Sequence, residues 1–190
     1  MRALFRFIFA VITRFQVISA TNLPQEGPVL VVSNHISNWD PLLLGCAIDR
    51  RISLLGKAEL FKNPVLGYII KHMDVVPIKR GQSDIVALRT ALGLLASGKI
   101  VGIFPEGTRS RTGEMQAFKT GVAMIAYKAG IPIVPVGIIN SKSLLFGWFH
   151  PVKVVFGEAF VPQKPEGKAD GVYLESLAKI IEDKVRALVT

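Results

Sequence analysis

Apolar positions along the chain fall into two kinds of segment. Some are short continuous runs, and others are longer stretches in which apolar residues recur every three or four positions. The run from 29 to 33 is of the first kind, which is typical of a strand buried on both faces. The stretch from 83 to 97 is of the second kind and predicts a helix that ends at Gly98. The apolar face of that predicted helix consists of Ile85, Leu88, Leu92 and Leu95.

The same two patterns recur to the end of the chain. Strands are predicted at 15–20, 29–33, 51–55, 74–78, 100–104, 131–139 and 152–156. Helices are predicted at 64–71, 83–97, 120–129 and 172–189, and another begins at Asp40-Pro41, with Asp40 as its cap. Strands that alternate with helices need crossover connections. The pattern therefore predicts an α/β fold, a single domain with a mainly parallel central sheet flanked by helices.

The first 14 residues predict a short amphipathic helix with a basic side. Arg2 and Arg6 share one helical face, and Leu4, Ile8 and Ile12 lie mostly away from it. Such a helix is typical of a membrane interface. A helix that merely packs on the domain and a cleaved signal peptide are the alternatives. No run approaches the roughly 20 apolar residues of a membrane-spanning helix. We expect residues 1–14 to form an interface helix and 15–190 the main domain.

The composition of the chain indicates partners that are anionic and apolar. The 190 residues carry a formal net charge of +9, half are hydrophobic, and mean hydropathy is +0.42. A basic surface attracts phosphate groups, whether on lipid, nucleic acid or a small substrate. The basic residues are scattered and no nucleic-acid-binding motif occurs, so no nucleic acid partner is expected. Cys46 is the single cysteine, and its apolar neighbours predict a buried thiol.

Residues 33–40, SNHISNWD, place an acid–base pair directly after a predicted strand. A carboxylate that accepts a hydrogen bond from one imidazole nitrogen fixes the tautomer, and the other nitrogen can then take a proton. His35 and Asp40 have the spacing for this. The alternative is that Asp40 only caps the following helix. No G-x-S-x-G nucleophile motif occurs, so a hydroxyl to be activated would belong to a substrate.

A second polar motif, FPEGTRSR, follows the strand predicted at 100–104. Glycine lets an anion approach the backbone, hydroxyl groups donate, and arginine binds phosphate through a planar fork. Gly107, Thr108 and Arg109 therefore indicate an anion site, and a solvated basic turn is the alternative. Two further cations, Lys57 and Arg80, also follow predicted strands, but each is a weak signal alone.

Taken together, these motifs resemble the glycerolipid acyltransferases, specifically the 1-acyl-sn-glycerol-3-phosphate acyltransferase family. The block HISNWD is similar to their H-x4-D motif, and FPEGTRS matches their F-P-E-G-T-R-S motif. The segments KAEL and PIKRG are similar to the block between these two, and IVPV to the final apolar block. The resemblance covers about residues 28 to 140.

The resemblance implies a role for each motif residue. His35 would be the general base and Asp40 would orient it. Arg80, Gly107, Thr108 and Arg109 would hold the acceptor's phosphate, with Glu106 near its glycerol end. Lys57 is a candidate for stabilising the oxyanion, in competition with backbone N–H groups. No metal and no cofactor are implied beyond the acyl donor.

The implied reaction is transfer of a fatty acyl group from acyl-CoA or acyl-carrier protein to the sn-2 hydroxyl of lysophosphatidic acid, which gives phosphatidic acid. Two alternatives stay open: the same chemistry on another acceptor, and a non-catalytic basic lipid-binding module. The expected partners are these substrates and a membrane surface with anionic lipids. The expected location is the cytoplasmic face of the cell membrane, with peripheral or monotopic attachment.

Overall fold

The strands form one mainly parallel sheet, as predicted. The computed structural model describes residues 2–62, 67–68, 74–78, 84–142, 150–165 and 167–190. Its strands are β1 (Gln16–Ile18), β2 (Val29–Ser33), β3 (Ile52–Lys57), β4 (Val75–Ile78), β5 (Ile100–Ile103), β6 (Ile133–Ile139) and β7 (Lys153–Phe156). Within these residues they make a 7-stranded sheet of order β1-β7-β6-β2-β5-β3-β4. Only the β6–β7 pair is antiparallel among them.

Helices cover both faces of the sheet. They are α1 (Arg2–Thr13), α2 (Asp40–Ala47), α3 (Asp84–Ala96), α4 (Gly121–Ala129) and α5 (Gly171–Arg186). Strand β2 shows how the two layers arise, because successive side chains of a strand point to opposite faces. Val29 and Val31 pack with α1 and α2, whereas Leu30 and Val32 pack with α3, α4 and α5. This burial on both faces is what the continuous apolar run predicts.

Glycines end two of the helices where the sequence predicts that they end. Gly130 adopts φ 60° after α4 and donates its N–H to the Ala126 carbonyl at 3.0 Å. Gly98 adopts φ 80° just after α3. Glycine enters this left-handed region without the steric penalty of a Cβ atom, so it is the usual residue after a helix end.

The apolar face predicted for α3 is not buried along its whole length. Ile85 is 54% exposed. The reason is that Ile85 lies in the first turn, whereas the buried side chains of this helix, Ala91 and Leu95, lie in its second half. Most of the helix predicted at 64–71 lies outside the described residues.

Helix α1 packs on the domain with one side and presents an apolar surface with the other. Phe9 is 3% exposed and belongs to the same apolar cluster as α2. On the outward side, Leu4, Phe7 and Val11 are 58%, 68% and 51% exposed. The ring of Phe9 also meets the edge of Trp39, with centroids 6.3 Å apart, so α1 contacts the 33–40 segment directly. In the part of the chain that the structure describes, no helix has the length and apolarity to cross a bilayer.

Candidate active site

The candidate site is built from segments that leave three adjacent strands. Strand β2 lies between β5 and β6 and is parallel to both, so the carboxyl ends of all three meet at one edge of the sheet. The chain carries His35 after β2, Phe104 and Glu106 after β5, and Ser141 after β6. Ligands of open parallel sheets bind at this edge. The fold therefore brings the two predicted motifs together and adds a third segment to them.

His35 and Asp40 form the predicted pair. The Nδ1 atom of His35 lies 2.8 Å from Oδ2 of Asp40. An ionised carboxylate can only accept, so Nδ1 carries the proton and Nε2 is left unprotonated in the neutral ring. The imidazole is 18% exposed, whereas the Asp40 side chain is fully buried. The buried carboxylate thus holds the imidazole through Nδ1, and the ring keeps partial access to solvent.

The carboxylate of Asp40 organises the backbone before it. Its Oδ2 atom accepts from the N–H groups of Ile36 and Ser37, both at 2.7 Å, in addition to the His35 ring. The prediction that Asp40 caps α2 is wrong, because Asp40 is the first residue of the helix and its side chain bonds backward. The segment from 35 to 40 thereby curls around one carboxylate, which sets the direction of the imidazole.

The backbone of His35 is bonded on both sides to the motif that follows β5. Its N–H donates to Oε1 of Glu106 at 2.6 Å, and its carbonyl accepts from the N–H of Ser110 at 2.9 Å. The Phe104 ring stacks on the imidazole with centroids 4.4 Å apart and an interplanar angle of 26°. The Phe104 ring therefore covers one face of the imidazole, and the two backbone hydrogen bonds fix the position of His35.

Glu106 is a buried carboxylate that accepts hydrogen bonds from two chain segments of the site. It is 4% exposed, and its second oxygen, Oε2, accepts from the Gln116 N–H at 3.1 Å. Burial raises the pKa of the Glu106 carboxyl above its usual value, against the lowering effect of the N–H groups of His35 and Gln116. The two oxygens of Glu106 thereby join the His35 segment to the loop. That Glu106 lies near the glycerol end of an acceptor stays a prediction.

The loop from 105 to 119 is closed at its base. The Lys119 N–H donates to the Pro105 carbonyl at 3.1 Å, and the Phe118 N–H donates to Oε2 of Glu182 on α5 at 2.9 Å. Burial alone would raise the pKa of Glu182, but hydrogen bonds from Arg186, from this N–H and from Lys179 together hold it below its usual value. A charged carboxylate on α5 therefore anchors the loop.

Inside this loop, Gly107 makes a turn whose positive φ would strain a residue with a Cβ atom. Its φ is 71°, and a Cβ atom there would lie 3.0 Å from Nζ of Lys119. The Lys119 ammonium therefore lies beside the Gly107 backbone. Thr108 and Arg109 follow and are exposed. A glycine turn, a hydroxyl group and two cations on one open surface are the groups that bind a phosphate.

The side chains of two predicted cations lie outside the described part of the chain. Lys57 ends β3, on the far side of β5 from β2, and its side chain lies outside the described part. Arg80 also lies outside the described residues. Cys46 is buried in α2, as predicted.

Sequence reasoning missed several residues of the site. Asn34 is buried, and its amide donates to the Ile138 carbonyl at 2.9 Å and accepts from the Ile138 N–H at 2.8 Å. Ser141 donates a hydrogen bond to Asp40, and Lys119 flanks Gly107. A sequence signal exists for Asn34 and Ser141, because both are polar residues placed just after buried parallel strands, where ligand sites form.

Comparison with known proteins identifies the family of the chain. A family model described as "Acyltransferase" matches residues 14–139, which include both motifs. The chain belongs to the acyltransferase family. Among its relatives is a 1-acyl-sn-glycerol-3-phosphate acyltransferase of Bacillus subtilis, 31% identical over 185 residues that cover 91% of this chain and 90% of that protein.

Other members of the family are similar to part of the chain in sequence or to the whole chain in fold. A chloroplastic 1-acyl-sn-glycerol-3-phosphate acyltransferase of Brassica napus is 35% identical over 127 residues, and one of Arabidopsis thaliana is 34% identical over the same length. These matches cover 65% of the chain but only 37% and 35% of the plant proteins. The crystal structure of the 1-acyl-sn-glycerophosphate acyltransferase PlsC of Thermotoga maritima has a TM-score of 0.67 and 25% identity, and the match covers 98% of this chain and 79% of that one.

Proposed function

We propose that the protein transfers a fatty acyl group from an acyl thioester to the free sn-2 hydroxyl of lysophosphatidic acid, giving phosphatidic acid. The observation that carries the proposal is the hydrogen-bonded pair His35–Asp40, whose backbone is bonded directly to the loop with Gly107 and Arg109. The names of the relatives support this choice of acceptor. The function can be tested by measuring thiol release from acyl-CoA and from acyl-carrier protein, with and without lysophosphatidic acid.

In the proposed reaction, Nε2 of His35 removes the proton from the acceptor hydroxyl while the oxygen attacks the thioester carbonyl. The tetrahedral intermediate then expels the thiolate, and the imidazolium returns its proton to the sulfur. No acyl-enzyme forms, and no metal or other cofactor takes part. The negative charge of Asp40 stabilises the imidazolium between the two steps. Lys57 stays a proposal for the group that stabilises the oxyanion, in competition with backbone N–H groups.

The acceptor's phosphate would bind at the exposed turn of the 105–119 loop. Gly107 would allow close approach, Thr108 would donate, and Arg109 and Lys119 would supply charge. Arg80 stays a proposed further contact from the segment after β4. Glu106 would act through the backbone of His35, near the glycerol end of the acceptor.

Replacing Arg109 with alanine tests the phosphate contact. We expect Arg109→Ala to raise the KM for lysophosphatidic acid by about tenfold or more, because a charge-assisted hydrogen bond to the phosphate is lost. Turnover of a monoacylglycerol, which lacks the phosphate, should change little. Arg89→Ala, at an exposed arginine of α3, is the matched control. An equal loss with both acceptors would contradict a phosphate contact, and a wild-type preference for the phosphate-free acceptor would indicate the alternative acceptor class.

The acceptor's acyl tail places the reaction at a lipid surface, and α1 is the proposed contact with it. Its outward side, formed by Leu4, Phe7 and Val11, is apolar and exposed. The Arg6 side chain on this helix pairs with Asp49 at 3.0 Å, so the argument for anionic lipids rests on the formal net charge of +9. We propose peripheral attachment through residues 1–14 at the cytoplasmic face of the membrane. The packing of Phe9 means that deleting this segment would also uncover part of the core.

Point substitutions on the outward side are therefore the cleaner test of attachment. The triple variant Leu4→Ser, Phe7→Ser, Val11→Ser should bind vesicles of phosphatidylcholine and phosphatidylglycerol at least about tenfold more weakly, because three apolar side chains no longer enter the lipid. Its melting temperature should stay near that of the wild type, since all three are already exposed. Val172→Ser, at a 75% exposed position on α5, is the control. Unchanged sedimentation with vesicles would rule out α1 as the anchor.

A further inference from the structure

Ser141 touches the catalytic pair from the opposite side of Asp40. It is 0% exposed and lies in the turn after β6, outside both sequence motifs. Its hydroxyl donates to Oδ1 of Asp40, the oxygen that does not face His35. The two residues are 101 positions apart in the sequence. No role is implied for Ser141 by the motifs themselves.

The turn that presents Ser141 is held in place at several points. Asn140 adopts φ 62°, an uncommon conformation for a residue with a side chain, and its amide donates to the Pro151 carbonyl at 3.1 Å. Lys142 on the other side donates to the Arg111 carbonyl at 2.8 Å, in the loop that carries Gly107. This short turn therefore contacts both the catalytic pair and the loop of the anion site.

The two oxygens of Asp40 have unequal surroundings. Oδ2 accepts from the His35 ring and from the N–H groups of Ile36 and Ser37. For Oδ1, the partner among the described residues is the Ser141 hydroxyl. Without the Ser141 hydroxyl, Oδ1 would be a buried acceptor with no hydrogen-bond donor in the described part of the chain, which costs free energy. Rotation of the carboxylate toward another donor would lower that cost. Rotation would weaken the hold of Oδ2 on the imidazole.

We propose that Ser141 is a positioning residue, which fixes the carboxylate of Asp40 so that the imidazole of His35 keeps the tautomer and direction needed to take a proton. The inference rests on the proposed function, because it assigns Ser141 a part in the same proton transfer. Ser141 touches no substrate. It acts on turnover through Asp40 and leaves the binding of the acceptor's phosphate alone.

The test is a set of single and double variants in the full chain, assayed for lysophosphatidic acid-dependent thiol release. Ser141→Ala should lower kcat by about tenfold or more and change the acceptor KM by no more than about twofold. In an Asp40→Asn background the same substitution should lower kcat hardly further, because residues that act as a unit are not additive. Ser53→Ala, at a buried serine of β3, is the matched control and should leave kcat unchanged.

Two conservative variants separate positioning from packing. Ser141→Thr keeps the hydroxyl and should recover most of the turnover, whereas Ser141→Cys keeps the size but donates weakly and should stay slow. Wild-type kcat in folded Ser141→Ala or Ser141→Cys, or fully additive losses with Asp40→Asn, would overturn the inference. His35→Ala and the wild type, assayed alongside, tell the two failures apart. If only His35→Ala is inactive, the proposed function stands without Ser141, and if the wild type releases no thiol with lysophosphatidic acid, the proposed function itself fails.

Discussion

His35→Ala is expected to lower the rate of acyl transfer by about 10²- to 10⁴-fold. The substitution removes the general base, and among the described residues no other titratable side chain hydrogen-bonds with Asp40. Stability should change little, because the anchoring contacts of this residue with Glu106 and Ser110 are made by its backbone. The measurement is kcat with saturating lysophosphatidic acid, alongside thermal unfolding.

A second histidine provides the control for this prediction. His150 lies just before β7 and is exposed, so His150→Ala should leave transfer at the wild-type rate. Folded His35→Ala that turns over like the wild type would end the proposed mechanism. Loss of turnover together with a large fall in melting temperature would show that the ring itself is needed for folding.

Asp40→Asn should reduce kcat by about a hundredfold or more, with a smaller effect on the acceptor KM. Asparagine has nearly the same shape but no charge, so it no longer stabilises the imidazolium that forms during transfer. If its NH₂ group turns toward His35, it donates to Nδ1 and puts the ring proton on Nε2, where the base is needed. Either arrangement of the amide slows the reaction.

The same substitution should cost stability, because Asp40 is fully buried and accepts from Ile36, Ser37 and Ser141 as well as from His35. We expect a loss of about 1–3 kcal/mol in the free energy of unfolding, since a neutral amide accepts more weakly than a carboxylate and its NH₂ group cannot accept from the donors that it faces. Asp183→Asn on α5, an exposed carboxylate paired with Lys179, is the control and should change the free energy of unfolding by less than about 1 kcal/mol. Urea denaturation measures both. An Asp40→Asn variant with wild-type kcat would contradict the role assigned to this carboxylate.

The parts of the fold that follow from local pattern were predicted well. The buried run at 29–33 forms β2, and the glycines at 98 and 130 end their helices. These features depend on residues that are close in sequence, so the pattern itself contains the physical cause. The pattern does not predict that Ile85 is exposed, because a helical period says which residues share a face but not where along the helix the neighbouring layer begins.

For the candidate site too, contacts within one short segment were predicted better than contacts between segments. The spacing of His35 and Asp40 predicts their contact, since both lie in one short turn after a strand. It does not predict that the carboxylate bonds backward to the N–H groups before it instead of capping α2. It also does not predict that the two oxygens of Glu106 accept hydrogen bonds from backbone N–H groups in different segments. Hydrogen-bond partners of a buried carboxylate depend on which chain segments surround it.

By itself, the sequence determined the kind of fold, the family, and the short motifs that hold the acid–base pair and the anion turn. It could do so because apolar periodicity and motif spacing act over a few residues. Only the tertiary structure decided that β2 lies between β5 and β6, and this order brings Ser141 to Asp40 and the loop after β5 to His35. Strand order depends on how all the layers pack together, so contacts between residues 71 and 101 positions apart cannot be inferred from local pattern.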